Sequence, residues 1–129
     1  MSTEAIKVSG EVNATPNQVY EAFLDAELHA AMTGAEATAD ADGTFTAWDG
    51  YIEGKTIEGD PGQRLVQSWR TSHFPEDAPD SRLEIRFEAT EGGTRVTFDH
   101  AEIPQGQGGN YEQGWVDFYL VPMAAYFQG

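Results

Sequence analysis

Residues 43–70 read GTFTAWDGYIEGKTIEGDPGQRLVQSWR. An alternating, aromatic-bearing run meets Asp49-Gly50, a second run follows, a Gly/Pro break interrupts it, and a third run ends at Trp69-Arg70. Asp-Gly is the dipeptide of a two-residue type I′ turn, which needs positive φ at both central positions and matches the twist of antiparallel strands. The segment therefore predicts a meander. If the turn sits on Asp49-Gly50, Trp48 lies opposite Tyr51, Ala47 opposite Ile52, Thr46 opposite Glu53, Phe45 opposite Gly54 and Thr44 opposite Lys55. Side chains alternate with period two, so Phe45, Ala47, Ile52 and Gly54 share the core face. Thr44, Thr46, Glu53 and Lys55 take the outer face with Trp48 and Tyr51, where the two aromatics form a cross-strand pair or a small protein-binding patch. Phe45 is expected to cover the gap left by Gly54.

Outward from this segment, Ala5 to Val12 reads as a strand. Thr15-Pro16 opens a helix: Thr15 is a suitable N-cap, Pro16 fits the first turn, and Gln18 completes a capping box. Val19, Ala22 and Phe23 form its buried stripe. Asp25 caps a second short helix, with Leu28, Ala31 and Met32 inward, and Gly34 ends it. Beyond the meander, Ser72 to Asp80, with HFPEDAPD inside it, is too polar and broken for a core element. Arg82 to Glu88 alternates cleanly, Leu83, Ile85 and Phe87 on one face and charges on the other, as a half-buried antiparallel strand does. Gly92-Gly93 turns the chain into Thr94 to Glu102, where Val96, Phe98 and His100 share a face, with Glu102 one step on. After a glycine-rich loop, Trp115, Phe118, Tyr119, Pro122 and Tyr126 recur at helical spacing, in a long amphipathic helix that Pro122 kinks.

The order is thus strand, two short helices, about five more antiparallel strands, and one long C-terminal helix. A curved sheet of about six strands with one apolar face must be covered, and only the C-terminal helix has the apolar length to do so. The 129 residues read as one α+β domain, able to bury about two thirds of their unfolded surface.

Composition narrows function. Cysteine is absent, which excludes disulfides, thiolate metal sites and a cysteine nucleophile. No basic segment with an apolar stretch opens the chain and no apolar run approaches the ~20 residues of a membrane span, so a cytoplasmic location is expected. The formal net charge is −15, from 22 Asp and Glu against 7 Lys and Arg. That field opposes nucleic acid and anionic membranes, and neither is expected as a partner. Because the acids are spread along the chain, the excess reads as a whole-surface property similar to adaptation to a high-salt cytoplasm. An ordinary acidic protein, or an acidic face for a basic partner, is the alternative.

The ordered set Pro16 with Val19-Tyr20-Glu21-Ala22-Phe23, Thr33-Gly34, Gly43 with Phe45, Trp48-Asp49-Gly50, Ile52 with Gly54, Pro61, Leu65 with Trp69-Arg70, Gly93-Thr94-Arg95-Val96 and Gly114-Trp115 covers nearly the whole chain. It resembles the single-domain proteins similar to the C-terminal domain of the activator of heat shock protein 90 ATPase, within the START-like (Bet v-like, SRPBCC) superfamily. The resemblance implies a helix-grip fold and either a carrier of an apolar small molecule or a chaperone-associated, stress-related module. Met32 departs from the Trp that members commonly place before Thr-Gly, which bears on local pocket shape. No counterpart of the co-chaperone's N-terminal domain and linker is expected here, so ATPase stimulation is not implied.

The cavity expected between sheet and helix is lined by Phe45, Ile52, Gln67, Trp69, Phe87 and Phe98 from the sheet side. His100, Trp115, Phe118 and Tyr119 complete it. The same side chains could instead fill a solid core, and both readings stay open. His100 with Glu102 is the one visible acid–base pair, helped by an inward Gln67. A small cyclase- or hydrolase-like activity, as found in this superfamily, would have to use it. The structural alternative is a histidine that simply satisfies a neighbour. His29 and His73 lack metal-ligand spacing, and the Asp40/Asp42 pair lacks the twelfth-position Glu of an EF-hand, so no metal is expected. No phosphate loop, dinucleotide fingerprint or nucleophile elbow is present, and no cofactor is expected. Monomer and homodimer are both open.

Overall fold

The computed structural model describes residues 3–127. Strand β1 (Thr3–Val12) leads into helices α1 (Pro16–Leu24) and α2 (Ala26–Thr33). Strands β2 (Thr38–Ala39), β3 (Thr44–Ala47), β4 (Ile52–Asp60), β5 (Arg64–Thr71), β6 (Ser81–Thr90) and β7 (Gly93–Pro104) follow. The C-terminal helix comes in three pieces: α3 (Gly108–Trp115), a π-helical turn (Val116–Leu120) and α4 (Val121–Tyr126). All strands form one antiparallel sheet in the order β1-β7-β6-β5-β4-β3-β2. The seventh strand is Thr38–Ala39, paired with Thr46 and Phe45; two residues are too few for periodicity to reveal.

The register set by Asp49-Gly50 is the one observed: Thr44 pairs with Lys55, Phe45 with Gly54, Thr46 with Glu53 and Ala47 with Ile52. Asp49 and Gly50 have φ of 59° and 91°, and Tyr51 N–H donates to the Trp48 carbonyl at 3.1 Å. At Gly54 a Cβ would stand 2.0 Å from the Ser68 carbonyl oxygen and 2.9 Å from Phe45 Cζ. Glycine is therefore obligatory where β5 and the Phe45 ring close over β4.

One residue departs from the expected alternation. Trp48 also has positive φ, 53°, and Gly50 N–H donates to the Ala47 carbonyl. Three successive left-handed residues end β3 one step early and rotate Trp48 and Tyr51 off the outer face, where alternation had placed them. Asp49 holds the turn, its carboxylate accepting from Glu36 N–H at 3.0 Å while its own N–H donates to the Glu36 carbonyl at 3.0 Å.

The caps are as the sequence predicts. Thr15 accepts from Gln18 N–H and Gln18 Oε1 accepts from Thr15 N–H, Asp25 accepts from Glu27 and Leu28 N–H, and Gly34 ends α2 at φ 83°. Pro122 lacks an N–H and its ring would strike the carbonyl four residues back, at Phe118. The kink expected there takes the form of the π turn just before it, where Val121 N–H reaches the Val116 carbonyl. Trp115, Tyr119 and Met123 consequently face the sheet, whereas Phe118 and Val121 are 54% and 59% exposed.

Candidate functional site

Beneath the C-terminal helix, one half of the interface is solid. Phe98, fully buried, stacks on Trp115 with ring centroids 4.5 Å apart and planes 12° apart. Phe23 stacks on Tyr119 at 5.8 Å, and Phe87 sits edge-on to Tyr20 and tilted against Phe23. Phe87 and Phe98, expected to line a cavity, are packed here instead, because α1 delivers Tyr20 and Phe23 into the space above them. The Tyr119 hydroxyl is 2.8 Å from His29 Nε2, and burial lifts this phenol well above its ordinary range. Burial also lowers His29, opposed by its contact with the Phe23 carbonyl.

His100 lies at the centre of a complete hydrogen-bond chain. Trp115 Nε1–H, which can only donate, reaches His100 Nδ1 at 3.2 Å, so the imidazole is neutral with its proton on Nε2. That proton goes to Ser81 Oγ at 2.7 Å, and the Ser81 hydroxyl donates to the Trp69 carbonyl at 2.8 Å. Burial pushes His100 down to about 3. Both ring nitrogens are committed. Glu102 does not join it: at φ 59°, within an irregularity where β1 skips from Glu4 to Ile6 against Ile103 and His100, it turns out to solvent. The expected His100–Glu102 pair is thus broken by a bulge, which restarts the alternation so that Ile103 takes the inward position.

Gln67 and Phe45 border a separate hollow of about 230 Å³ with Phe23, Leu24 and Thr56, where Gln67 Nε2 donates to Thr56 Oγ1 at 3.2 Å. The remaining expected residues meet at the other end, around a cleft of about 490 Å³. The β3–β4 turn contributes Trp48 and Tyr51, β4 contributes Ile52, and β5 contributes Trp69. The helix supplies Asn110, Tyr111, Gly114, Trp115, Phe118 and Tyr119, and the loop after β5 supplies His73. Trp69 and Trp115 touch at 5.5 Å as the cleft's floor, and Trp48 meets Phe118 edge-on at 5.2 Å. The Trp48 indole N–H is buried without a hydrogen-bond partner among the described residues.

Sequence reasoning placed Trp48 and Tyr51 on the outer face, as a cross-strand pair or protein-binding patch, and missed His73, Asn110, Tyr111 and Gly114 as cleft residues. It also dismissed the Ser72–Asp80 loop, from which Phe74 and Ala78 are buried. Arg70 makes this possible, donating to the Ala78 and Pro75 carbonyls and to Asp80 while lying 5.5 Å over the Phe74 ring. The loop is then tied to the helix by a closed circuit. His73 N–H donates to Thr71 Oγ1, whose hydroxyl is 2.7 Å from that of Tyr111; Tyr111 donates to Gln107 Oε1 at 2.6 Å, and Gln107 Nε2 donates back to the His73 carbonyl. Burial pushes the Tyr111 phenol up to about 12. At the rim, the Tyr51 hydroxyl is 2.8 Å from His73 Nδ1.

A family profile described as Activator of Hsp90 ATPase homolog 1-like protein matches residues 13–128. The chain belongs to that family. Human Activator of 90 kDa heat shock protein ATPase homolog 1 is 30% identical over 108 residues, 82% of this chain and 32% of the human protein. The chain therefore spans about a third of the length of the curated relatives it matches. Among solved structures, an Hsp90 activator from Plasmodium falciparum superposes with TM-score 0.82 at 22% identity, covering 95% of this chain and 94% of that one. CalU16 from Micromonospora echinospora superposes at 0.77 with 23% identity, covering 97% and 66%. These two share the helix-grip fold of the family. Among the described residues no helix is long and apolar enough to cross a membrane, and no group of three metal-ligating side chains converges.

Proposed function

We propose that this family member is a binding protein that holds an apolar small molecule in the cleft between the β3–β4 turn and the C-terminal helix, without performing chemistry on it. The observation that carries the reading is the cleft itself: about 490 Å³, walled by aromatic side chains, and about twice the volume of the hollow beside Gln67. The engagement of both His100 nitrogens and the outward turn of Glu102 argue for binding over acid–base chemistry at that pair. All three tryptophans of the chain, Trp48, Trp69 and Trp115, border the cleft, so occupancy should change intrinsic emission and raise the melting temperature. A screen of flavonoids, sterols and fatty acids checks this. If no compound moves either signal, the carrier reading is removed.

The family match favours a second reading, a chaperone-associated module, because the relatives are named as activators of the 90 kDa heat shock protein ATPase. Titrating purified 90 kDa heat shock protein with this chain and measuring complex formation by calorimetry and ATP turnover tests it. Absence of binding would leave the cleft as the working function.

A further inference from the structure

The cleft's chemistry narrows its occupant, granted the reading that the cleft is a small-molecule receptor. Seven of its eleven lining residues are Trp, Tyr or Phe, and Ile52 is the only aliphatic one among them. Aromatic walls reward a flat ring that can stack or meet them edge-on, which a flexible acyl chain cannot do. None of the seven Lys and Arg residues borders the cleft. Arg70, whose loop supplies His73, is spent on Asp80 and two loop carbonyls. A carboxylate carried inside would be desolvated with no lysine or arginine to receive it, on a protein of net charge −15.

The rim adds a directional requirement. The Tyr51 hydroxyl and His73 Nδ1 share one proton between them at 2.8 Å. If Tyr51 donates, His73 Nε2–H is left as a donor and the phenolic oxygen keeps an acceptor lone pair. If Nδ1 carries the proton, Nε2 is left as the acceptor and the phenol as the donor. In either arrangement the pair offers one donor and one acceptor at the mouth. Tyr111, by contrast, is held in its circuit with Thr71 and Gln107. A hydroxyl group, which both donates and accepts, complements the Tyr51–His73 pair in both states.

We infer that the cleft receives an uncharged planar aromatic molecule bearing a hydroxyl group, its rings between the sheet and helix walls and its hydroxyl at Tyr51 and His73. Calorimetric titration with four probes tests this: 2-naphthol, 2-methoxynaphthalene, which accepts but cannot donate, 2-naphthoate and n-decanol. The expected order places 2-naphthol first, with the methyl ether about fivefold weaker for one lost hydrogen bond. The carboxylate should be at least about tenfold weaker, and remain so in 1 M salt, where long-range repulsion is screened and the unpaired burial persists. Decanol should also be at least about fivefold weaker than 2-naphthol, for want of ring contacts. In the Tyr51→Phe/His73→Ala double variant both probes lose their rim hydrogen bonds, so the advantage of 2-naphthol over its methyl ether should shrink toward one. Naphthoate or decanol binding as tightly as 2-naphthol, or an advantage that survives both substitutions, would overturn the inference while leaving the receptor reading intact. Absence of heat from all four probes would instead overturn the receptor reading, and this inference with it.

Discussion

The two ends of the space between sheet and helix are built from the same kinds of residue and come out differently. At one end Phe23, Phe87, Phe98 and Tyr119 interlock; at the other Trp48, Trp69, Tyr111 and Phe118 surround a cleft. Composition does not separate them. What does is the backbone that delivers the side chains. The filled end receives Phe87 and Phe98 from regular strands, Phe23 from α1, whose capping box fixes the entry of Tyr20 and Phe23 onto Phe87, and Tyr119 from the inward side of the π turn. The open end takes Trp69 from strand β5 and Tyr111 and Trp115 from α3, but its rim comes from a left-handed turn, an Arg70-pinned loop and the π turn that pushes Phe118 sideways. Irregular backbone sets these rings at the rim without a neighbouring element to fill the volume between them.

The sharpest way to break this comparison is to truncate one ring at each end. Phe98→Ala should cost about 3 to 5 kcal/mol in a denaturant melt, since Phe98 is fully buried and stacked on Trp115. Phe118→Ala, 54% exposed against Trp48, should cost under about 1 kcal/mol. Equal losses would mean that the open end is as tightly packed as the closed one.

Acid should act next through histidines buried on both sides of that divide, His29 against Phe23 and Tyr119 and His100 against Trp69 and Tyr111. His100 is held neutral, at about 3 when folded against the ordinary value of 6.5, and burial lowers His29 in the same direction. Below pH 6.5 the unfolded chain binds protons that the folded chain refuses, so stability falls as pH drops through that window. Between pH 6.5 and 5, above the range of most carboxylates, one such histidine removes roughly 1.5 kcal/mol. Urea melts in 1 M salt, where the acidic surface is screened, check it. A midpoint unchanged between pH 6.5 and 5 would contradict the neutral, fully bonded imidazole.

The same contrast divides what could be read from the sequence. Strand alternation, the Asp49-Gly50 register and both helix caps were legible because each rests on a local rule that the fold does not override. So were the inward positions of Leu83, Ile85 and Val96. The cleft was half legible: Ile52, Trp69, Trp115 and Tyr119 fall on predicted faces, but Phe118 reaches the rim only because the π turn rotates it outward, and Trp48 and Tyr51 depended on a φ of 53° at a bulky residue, which no pattern announces. Glu102 was misplaced for a related reason, since a single bulge reverses every inference beyond it. The burial of Phe74 was hidden because its loop is stabilised by a side chain from another element, Arg70, and no local signal reports that. A Gly-rich helix start gave no hint that Gly114 would face open space, although a glycine inside an otherwise aromatic helical stripe is the one signal that could have suggested it.

Gly114 offers the mildest and most discriminating test of the open end. A Cβ placed there would meet only Phe118 Cδ2, at 3.7 Å, an ordinary contact, and the residue lies in helix without positive φ. Gly114→Ala should therefore stabilise the fold by about 0.5 to 1 kcal/mol through helix propensity alone. Ala47, by contrast, is fully buried and does not border the cleft, so a larger side chain there would overpack. Gly114→Leu extends the test. In an empty cleft the branched chain occupies the volume without displacing a neighbour, so thermal stability should hold while 2-naphthol binding drops. Should Gly114→Leu instead unfold the protein as a core overpacking would, the volume beside Phe118 and Trp115 is not available to a ligand.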